Sequence, residues 1–545
     1  MDVGADEFEQ SLPLLQELVL GADFVGLDIE FTGLRSNQSR PQQISLFDLP
    51  SEWYLKTRQS VQQFTICQIG LYVAHSCNFF LFPTTFGVLD SEFSFQASSV
   101  QFLNQYGFDY NKFLKNGIPY MNEEQEKKIK HNILTGNWKV RSSLDKDQIK
   151  VVIDEVTRWL DLAEEGDWMT LPGIAGFQAF EIQLVLRQAL PNIWTVLRDQ
   201  GIIVKKVSKQ HRWYLENTSC DRESCWKEKI LLSARGFSVF FQMLVKAQKQ
   251  PLVGHNMMTD LLHLHEKFFR PLPESYDQFK LNIHNLFPVL IDTKNVTKDI
   301  WKELNFPRVS NLSEVYEVLN SANSSMVSAD GLTHGRRQTP PHRFSQASSC
   351  GSGLLDALDL NPTKNSGPVI IHASKCEKYA ETKYPHEAAY DAFLCGSVHG
   401  AGSLPELSFP LYLDVLAPYV NQVNLIRAGV PKINFSGPDY PSIRPPILLL
   451  SVRRWPGVSE QQVYREFQNL CKFDVRRLSR SQFLLLTNKF KDARSILREY
   501  RGHPTLQISL YRYWRHSPDI NCLLQVCGVV ATWALLALVL GRPDP

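Results

Sequence analysis

Nineteen consecutive residues, CLLQVCGVVATWALLALVL from Cys522 to Leu540, carry no charge and a single Gln. A helix on a water-soluble surface needs a polar face, and this one has none. At 1.5 Å per residue the run covers roughly 28 Å, about the hydrocarbon thickness of a bilayer. Tyr511, Arg512, Tyr513, Trp514 and Arg515 stand just before it, the aromatic and basic types that anchor a span at the interface. A buried core helix is the alternative, but it would want sequence after it to cover its far face. The acidic start Met1-Asp2-Val3-Gly4-Ala5-Asp6-Glu7 has neither the basic nor the apolar part of a signal peptide. The expectation is a single-pass tail anchor over 520–541, with residues 1 to about 515 facing the cytosol from the endoplasmic reticulum or mitochondrial outer membrane.

Everything upstream reads as globular. The 545 residues are 43% apolar and 21% charged, which excludes a wholly disordered, collagenous or disulfide-framework chain. Ten cysteines include no Cys-x-x-Cys pair, so free thiols in a reducing compartment are expected rather than a zinc site. The net charge of +2 gives no global attraction to anionic partners, and any such binding must come from local patches.

Strand signals at Phe24–Glu30, Phe64–Tyr72 and Asn78–Phe82 follow a short amphipathic helix and predict an antiparallel start to a sheet. The divisions expected are a core running over 1–145 and resuming over 236–405, an inserted helical module over 146–235 and a linker over 406–446. A Ser-, Gly-, Asn- and Pro-rich loop at about 321–367 is too poor in apolar residues to order itself. From Ile447 to Tyr511 the order βαββαβ predicts an α+β domain like an RNA-recognition motif over 447–515, with a generic ferredoxin-like module as the alternative. Its third strand, Gln482-Phe483-Leu484-Leu485, mostly lacks the stacking rings of an RNA reader. Arg453, Arg454, Trp455, Arg476, Arg477 and Arg480 are the residues that could still meet phosphates.

Asp28-Ile29-Glu30 puts two acids on one face of a strand whose other face, Val25, Leu27, Ile29 and Phe31, is apolar. Paired acids on a sheet are costly unless a cation lies between them, and a divalent metal is the usual answer. Leu252 to Leu262 reads as a strand turning through Gly254 into a helix, with Asn256 and Asp260 four apart on its first turn. His263 and His265 are expected to be solvent-facing or structural. Tyr384-Pro385-His386-Glu387-Ala388-Ala389-Tyr390-Asp391 offers a His and an Asp five apart, about 140° on a straight helix, so they share a face only if Pro385 marks the helix start and His386 reaches in from the loop.

Together Asp28, Glu30, Asp260, His386 and Asp391 resemble the Asp-Glu-Asp-Asp exonuclease superfamily of the ribonuclease H-like α/β fold, in its His subtype. Phe31-Thr32-Gly33-Leu34, Cys67-Gln68-Ile69-Gly70, Gly107-Phe108-Asp109-Tyr110-Asn111-Lys112 and Asn116-Gly117-Ile118-Pro119-Tyr120 are similar to its poly(A)-specific ribonuclease branch, and the apolar tail is similar to the branch members that trim piRNA precursors. The resemblance covers roughly residues 1–515. It implies a 3′-to-5′ exoribonuclease in which Asp28, Glu30, Asp260 and Asp391 hold two Mg2+ (or Mn2+) ions and His386 deprotonates the attacking water. It also implies single-stranded RNA 3′ ends as substrate, a PIWI-type protein carrying that RNA, a membrane-bound Tudor-type adaptor and, as an option, a homodimer. The Arg-x-x-x-His signature of the branch's inserted nucleic-acid module is absent between 145 and 250. An mRNA deadenylase and a catalytically silent RNA-binding adaptor are the competing readings.

Overall fold

The computed structural model describes the chain apart from residues 36–42, 74, 86–88, 90, 136–142, 172–175, 199–200, 219–230, 249, 305–311, 318–378, 380–382, 402–415, 454–456 and 541–545. The low-complexity loop expected at 321–367, together with Arg454 and Trp455, lies outside the described residues. Two compact units emerge: residues 1–38, 57–424 and 434–438 form one, and residues 39–56, 425–433 and 439–545 the other.

The first unit is built on a seven-stranded mixed sheet. Its strands are β1 (Asp2–Val3), β2 (Val25–Phe31), β3 (Ile66–Tyr72), β4 (Ser76–Pro83), β5 (Ile118–Tyr120), and, beyond the insertion, two strands at Leu252–Gly254 and Leu290–Asp292. Antiparallel pairing of β2 with β3 and of β3 with β4 matches the start expected from the alternating pattern. The two later strands add in parallel beside β2, and β1 adds in parallel beside β4. On β2 the residues Val25, Leu27, Ile29 and Phe31 are buried while Asp28 and Glu30 are not fully so, the alternation a one-sided strand demands. The register slips between Glu30 and Phe31, where Cys67 becomes the extra residue of a bulge. Bulges of this kind re-aim side chains beside active sites.

The insertion departs from the expected helical module. Helices Ser143–Leu162 and Gly176–Ala189 pack on a three-stranded antiparallel sheet, β6 (Trp168–Leu171), β7 (Ile193–Arg198) and β8 (Gly201–Lys206). Val156, Leu171, Leu186, Ile193, Ile202 and Val204 form its own core. The strand signal was masked because Trp168 and its partner Lys205 put a ring and a cation on the exposed side, while Lys206 ends the apolar alternation on the other, its Nζ donating to the Leu160 and Ala163 carbonyls. Leu252–Gly254 is then β9 and Leu290–Asp292 is β10.

In the second unit, β11 (Leu448–Val452), β12 (Phe473–Arg477), β13 (Gln482–Thr487) and β14 (Leu506–Leu510) form an antiparallel sheet in the order β12-β13-β11-β14. Helices Glu460–Phe467 and Phe490–Glu499 lie on one face, and Leu448, Leu450, Val463, Phe467, Phe473, Phe483, Leu485 and Ile496 fill the core between. The order of elements is the βαββαβ read from the sequence. Leu449 and Leu486, on the opposite face of the sheet, are also buried. Residues Ser45 to Asp48 lie against that face: Asp474 Oδ2 accepts from Leu46 N at 2.6 Å and from Ser45 Oγ at 3.3 Å. Arg427 pairs with the same carboxylate, and Arg476 stacks over Phe47 at 5.2 Å. Within the helix Pro518–Leu540, the stretch Pro518–Leu538 is long and apolar enough to cross a membrane, and none of its side chains is buried.

Candidate active site

Site geometry begins with glycine. The helix Ala388–Ala401, α1 here, crosses the face of the sheet that carries Asp28 and Glu30, and it does so at van der Waals limit. A Cβ on Gly70 would meet the Ala388 carbonyl carbon at 1.9 Å, and one on Gly26 would meet the Ala392 oxygen at 2.7 Å. Gly70 stands opposite Asp28 in the β2–β3 register, and Gln68 opposite Glu30. The first N–H groups of a helix lack intrahelical partners. Here Gln68 Oε1 accepts from Ala388 N at 3.1 Å and Asn78 Oδ1 from Ala389 N at 2.7 Å. The sheet itself therefore caps α1, which explains two residues of the Cys67-Gln68-Ile69-Gly70 motif.

Docked this way, the first turn of α1 delivers Asp391 to Asp28 and Glu30. His386 precedes the helix in a left-handed conformation, φ 65°, and its N–H donates to Asp391 Oδ2 at 2.9 Å. The turn reverses the chain, so the 140° separation of a straight helix never applies; the helix starts at Ala388 rather than at Pro385. Ligating atoms of Glu30, His386 and Asp391 all lie within 4.8 Å of one another. The imidazole packs edge-on against both Phe102 and Tyr106, at 4.5 and 4.4 Å between ring centres, and those two rings touch each other at 4.9 Å.

Asp260 arrives from the other side of β2, on the first turn of the helix Met258–Leu264. Asn256 is not on that helix. It occupies the preceding loop with φ 58°, its N–H held by Asp292 Oδ1 at 3.0 Å and its side-chain oxygen by Asn424 Nδ2 at 2.6 Å. Asp292 also accepts from Lys294 N and Asn424 N, so it fixes the loop that aims Asp260. Sequence reasoning missed Asp292, because two of its three donors, the N–H groups of Asn256 and Asn424, come from distant stretches of chain. His263 and His265 are buried and structural: His263 Nδ1 pairs with the Thr259 carbonyl and His265 Nδ1 with that of Arg270.

Against known proteins, residues 3–399 match the model of the CAF1 family ribonucleases. The chain belongs to the CAF1 ribonuclease family. It is a 3′-to-5′ exoribonuclease. Among its relatives, it is 78% identical to the mouse poly(A)-specific ribonuclease PNLDC1, over the full length of both chains. It is 28% identical to the silkworm (Bombyx mori) pre-piRNA 3′-exonuclease trimmer, covering 98% of this chain and 96% of that one. To human poly(A)-specific ribonuclease PARN the identity is 25%, over 86% of this chain and 74% of PARN.

In this CAF1-family chain the acids repel one another. Burial raises Asp28 and Glu30 well above the usual carboxylate range; Asp391 and Asp260 add to the rise of both, and Glu30 to that of Asp28. Burial also pushes Asp260 up to about 8 and Asp391 up to about 7, the latter despite the His386 N–H. Burial lowers His386, keeping its ring neutral. Four crowded carboxylates with a neutral imidazole form a hard, anionic donor set, and the charges acting on Asp28 and Glu30 are all negative. Such a set fits a divalent cation such as Mg2+ or Mn2+.

Proposed function

We propose that the chain is a membrane-anchored exonuclease that trims the 3′ ends of precursor piRNAs by two-metal hydrolysis, releasing 5′-nucleotides. One observation carries the chemistry: Asp28, Glu30, Asp260 and Asp391 converge from three elements on one sheet face, with His386 beside them. In this reading Asp28, Glu30, Asp260 and Asp391 would hold two Mg2+ or Mn2+ ions, which would supply Lewis-acid activation of water and charge stabilisation for an in-line displacement. His386 takes the water's proton at Nε2, Asp391 Oδ2 being 3.9 Å from Nδ1. Phe102 and Tyr106 keep the ring from swinging away, and Asp292 keeps the Asp260 loop in place.

The substrate assignment is supported by the likeness to the silkworm trimmer along nearly the whole of both chains. A PIWI-type protein would present the RNA and a membrane-bound Tudor-type adaptor would recruit the pair. The helix Pro518–Leu540, uncharged from Cys522 onward, supports anchoring in the endoplasmic reticulum or outer mitochondrial membrane. Activity on mRNA poly(A) tails is the second reading, favoured by the name of the 78% identical mouse relative.

The deciding experiment offers the full chain a PIWI-loaded precursor RNA and a free oligo(A) of equal length, each with Mg2+ and with chelator. Trimming of the loaded RNA at the higher rate supports the proposal. Faster digestion of oligo(A), with the loaded RNA untouched, assigns the enzyme to deadenylation.

A further inference from the structure

The second unit hides a charge asymmetry. Residues 447–515 contain 14 Lys and Arg against 5 Asp and Glu, a net +9 inside a chain whose total is +2. Strand register sorts part of that charge to one end of the sheet. Leu448 pairs with both Leu485 and Leu510, and Phe473 with Thr487, so the start of β11, the start of β12 and the ends of β13 and β14 lie together. Lys472, Lys489, Lys491, Arg512 and Arg515 flank those four strand ends, and all five are exposed. The Asn488 N–H donates to the Lys472 carbonyl at 3.1 Å, tying the β12 and β13 sides of the cluster together. Asp474, Asp492 and Asp519 are the acids nearest to these cations in sequence, and Asp474 is already engaged by Arg427 and the Leu46 N–H. Exposed apolar residues are interleaved with them: Leu470, Phe490 at 52% exposure, Tyr513, and Trp514 at 80%.

We propose that this end of the sheet is a collar that binds anionic phospholipid headgroups. The inference rests on the reading of Pro518–Leu540 as a membrane span. That helix leaves the sheet from this same end, Arg515 being three residues before Pro518. Cations so near the bilayer lie within the reach of a charged leaflet, about 8 Å at physiological salt. Mixed rings and cations are the composition of the headgroup layer, where rings bury and cations meet phosphate. RNA is the weaker occupant, because on the sheet face where an RNA-recognition fold stacks bases Leu449 and Leu486 are buried and Asp474 and Arg476 are engaged by Ser45 to Asp48.

The test uses the full chain reconstituted in nanodiscs of phosphatidylcholine alone or with one quarter phosphatidylserine. Amine-reactive footprinting then compares Lys472, Lys489 and Lys491 with the exposed Lys127 and Lys130 as internal references. Anionic discs should slow labelling of the three collar lysines by about fivefold relative to neutral discs, and high salt should erase the difference. The double variant Lys489→Glu/Lys491→Glu should stay inserted while Lys472 loses its protection. Extraction by alkaline carbonate would mean that the span reading has failed, and the collar with it. An inserted protein labelled equally in both discs would overturn the collar alone. Protection by a single-stranded oligonucleotide in neutral discs, with none from phosphatidylserine, would give the surface to RNA.

Discussion

Gly70 and Ala388 approach so closely that no other amino acid fits at position 70: a Cβ there would lie 2.0 Å from the Ala388 oxygen and 2.2 Å from Ala389 N. Both obstacles are backbone, so neither can rotate away. The contact sets how deep α1 sits on the sheet, and thereby where Asp391 stands relative to Asp28.

Gly70→Ala should accordingly damage activity beyond its effect on folding. Overpacking of this kind costs about 3 kcal/mol, measurable by urea denaturation. The remaining folded fraction should show a fall in kcat of more than tenfold, because lifting α1 separates its acid from the other three. Normal turnover by the folded fraction would mean that the helix depth is not critical.

Removing single acids should separate chemistry from stability. Asp28→Ala and Glu30→Ala should abolish Mg2+-dependent hydrolysis while leaving the metal-free melting temperature equal to or above that of the parent, since each substitution relieves repulsion among buried carboxylates. Substantial hydrolysis by either variant would refute their assignment.

The pH dependence has a definite sign. Asp260 at about 8 and Asp391 at about 7 bind protons more tightly folded than unfolded, where an Asp titrates near 4. Their contribution to stability is complete below about pH 4 and is lost as pH rises through the folded values. Metal-free protein should therefore melt at falling temperatures from pH 5 to 8, for a total on the order of 6 kcal/mol. Saturating Mg2+ should flatten that slope, and Asp260→Asn should remove much of it. Differential scanning calorimetry with and without chelator checks both.

His386→Ala should reduce kcat by about 10²–10⁴-fold with little change in RNA affinity. The Phe102→Ala/Tyr106→Ala pair, which leaves the imidazole present but unclamped, should show a smaller loss in kcat. Collapse of RNA binding in His386→Ala would make that residue substrate-holding rather than a base.

How much of this was legible depends on where each residue's neighbours lie. Asp28 and Glu30 announce themselves through strand alternation, and Asp260 through a strand-Gly-helix succession, all within a dozen residues. His386 and Asp391 conflicted with straight-helix geometry, and only the left-handed turn at His386 resolves the conflict. Gln68 and Asn78 act as caps for a helix more than 300 residues away, and Asp292 gathers N–H groups from remote segments. No local pattern encodes such partners. The insertion's strands were missed for another reason, their exposed side being basic and aromatic rather than cleanly polar.

The strap at Ser45 to Asp48 makes the second unit a late-folding object. Its link to Asp474 spans 428 residues for the Leu46 N–H and 429 for the Ser45 hydroxyl, so it belongs to the highest contact-order class of interactions. At ribosomal speeds the early segment waits roughly 20–90 s for its partner strand to be made. During that interval Leu46 has no sheet to cover, and the nascent chain carries exposed apolar surface that a chaperone would recognise. A fragment beginning at residue 439 would keep the same defect permanently, with the Asp474 carboxylate stripped of its Leu46, Ser45 and Arg427 donors.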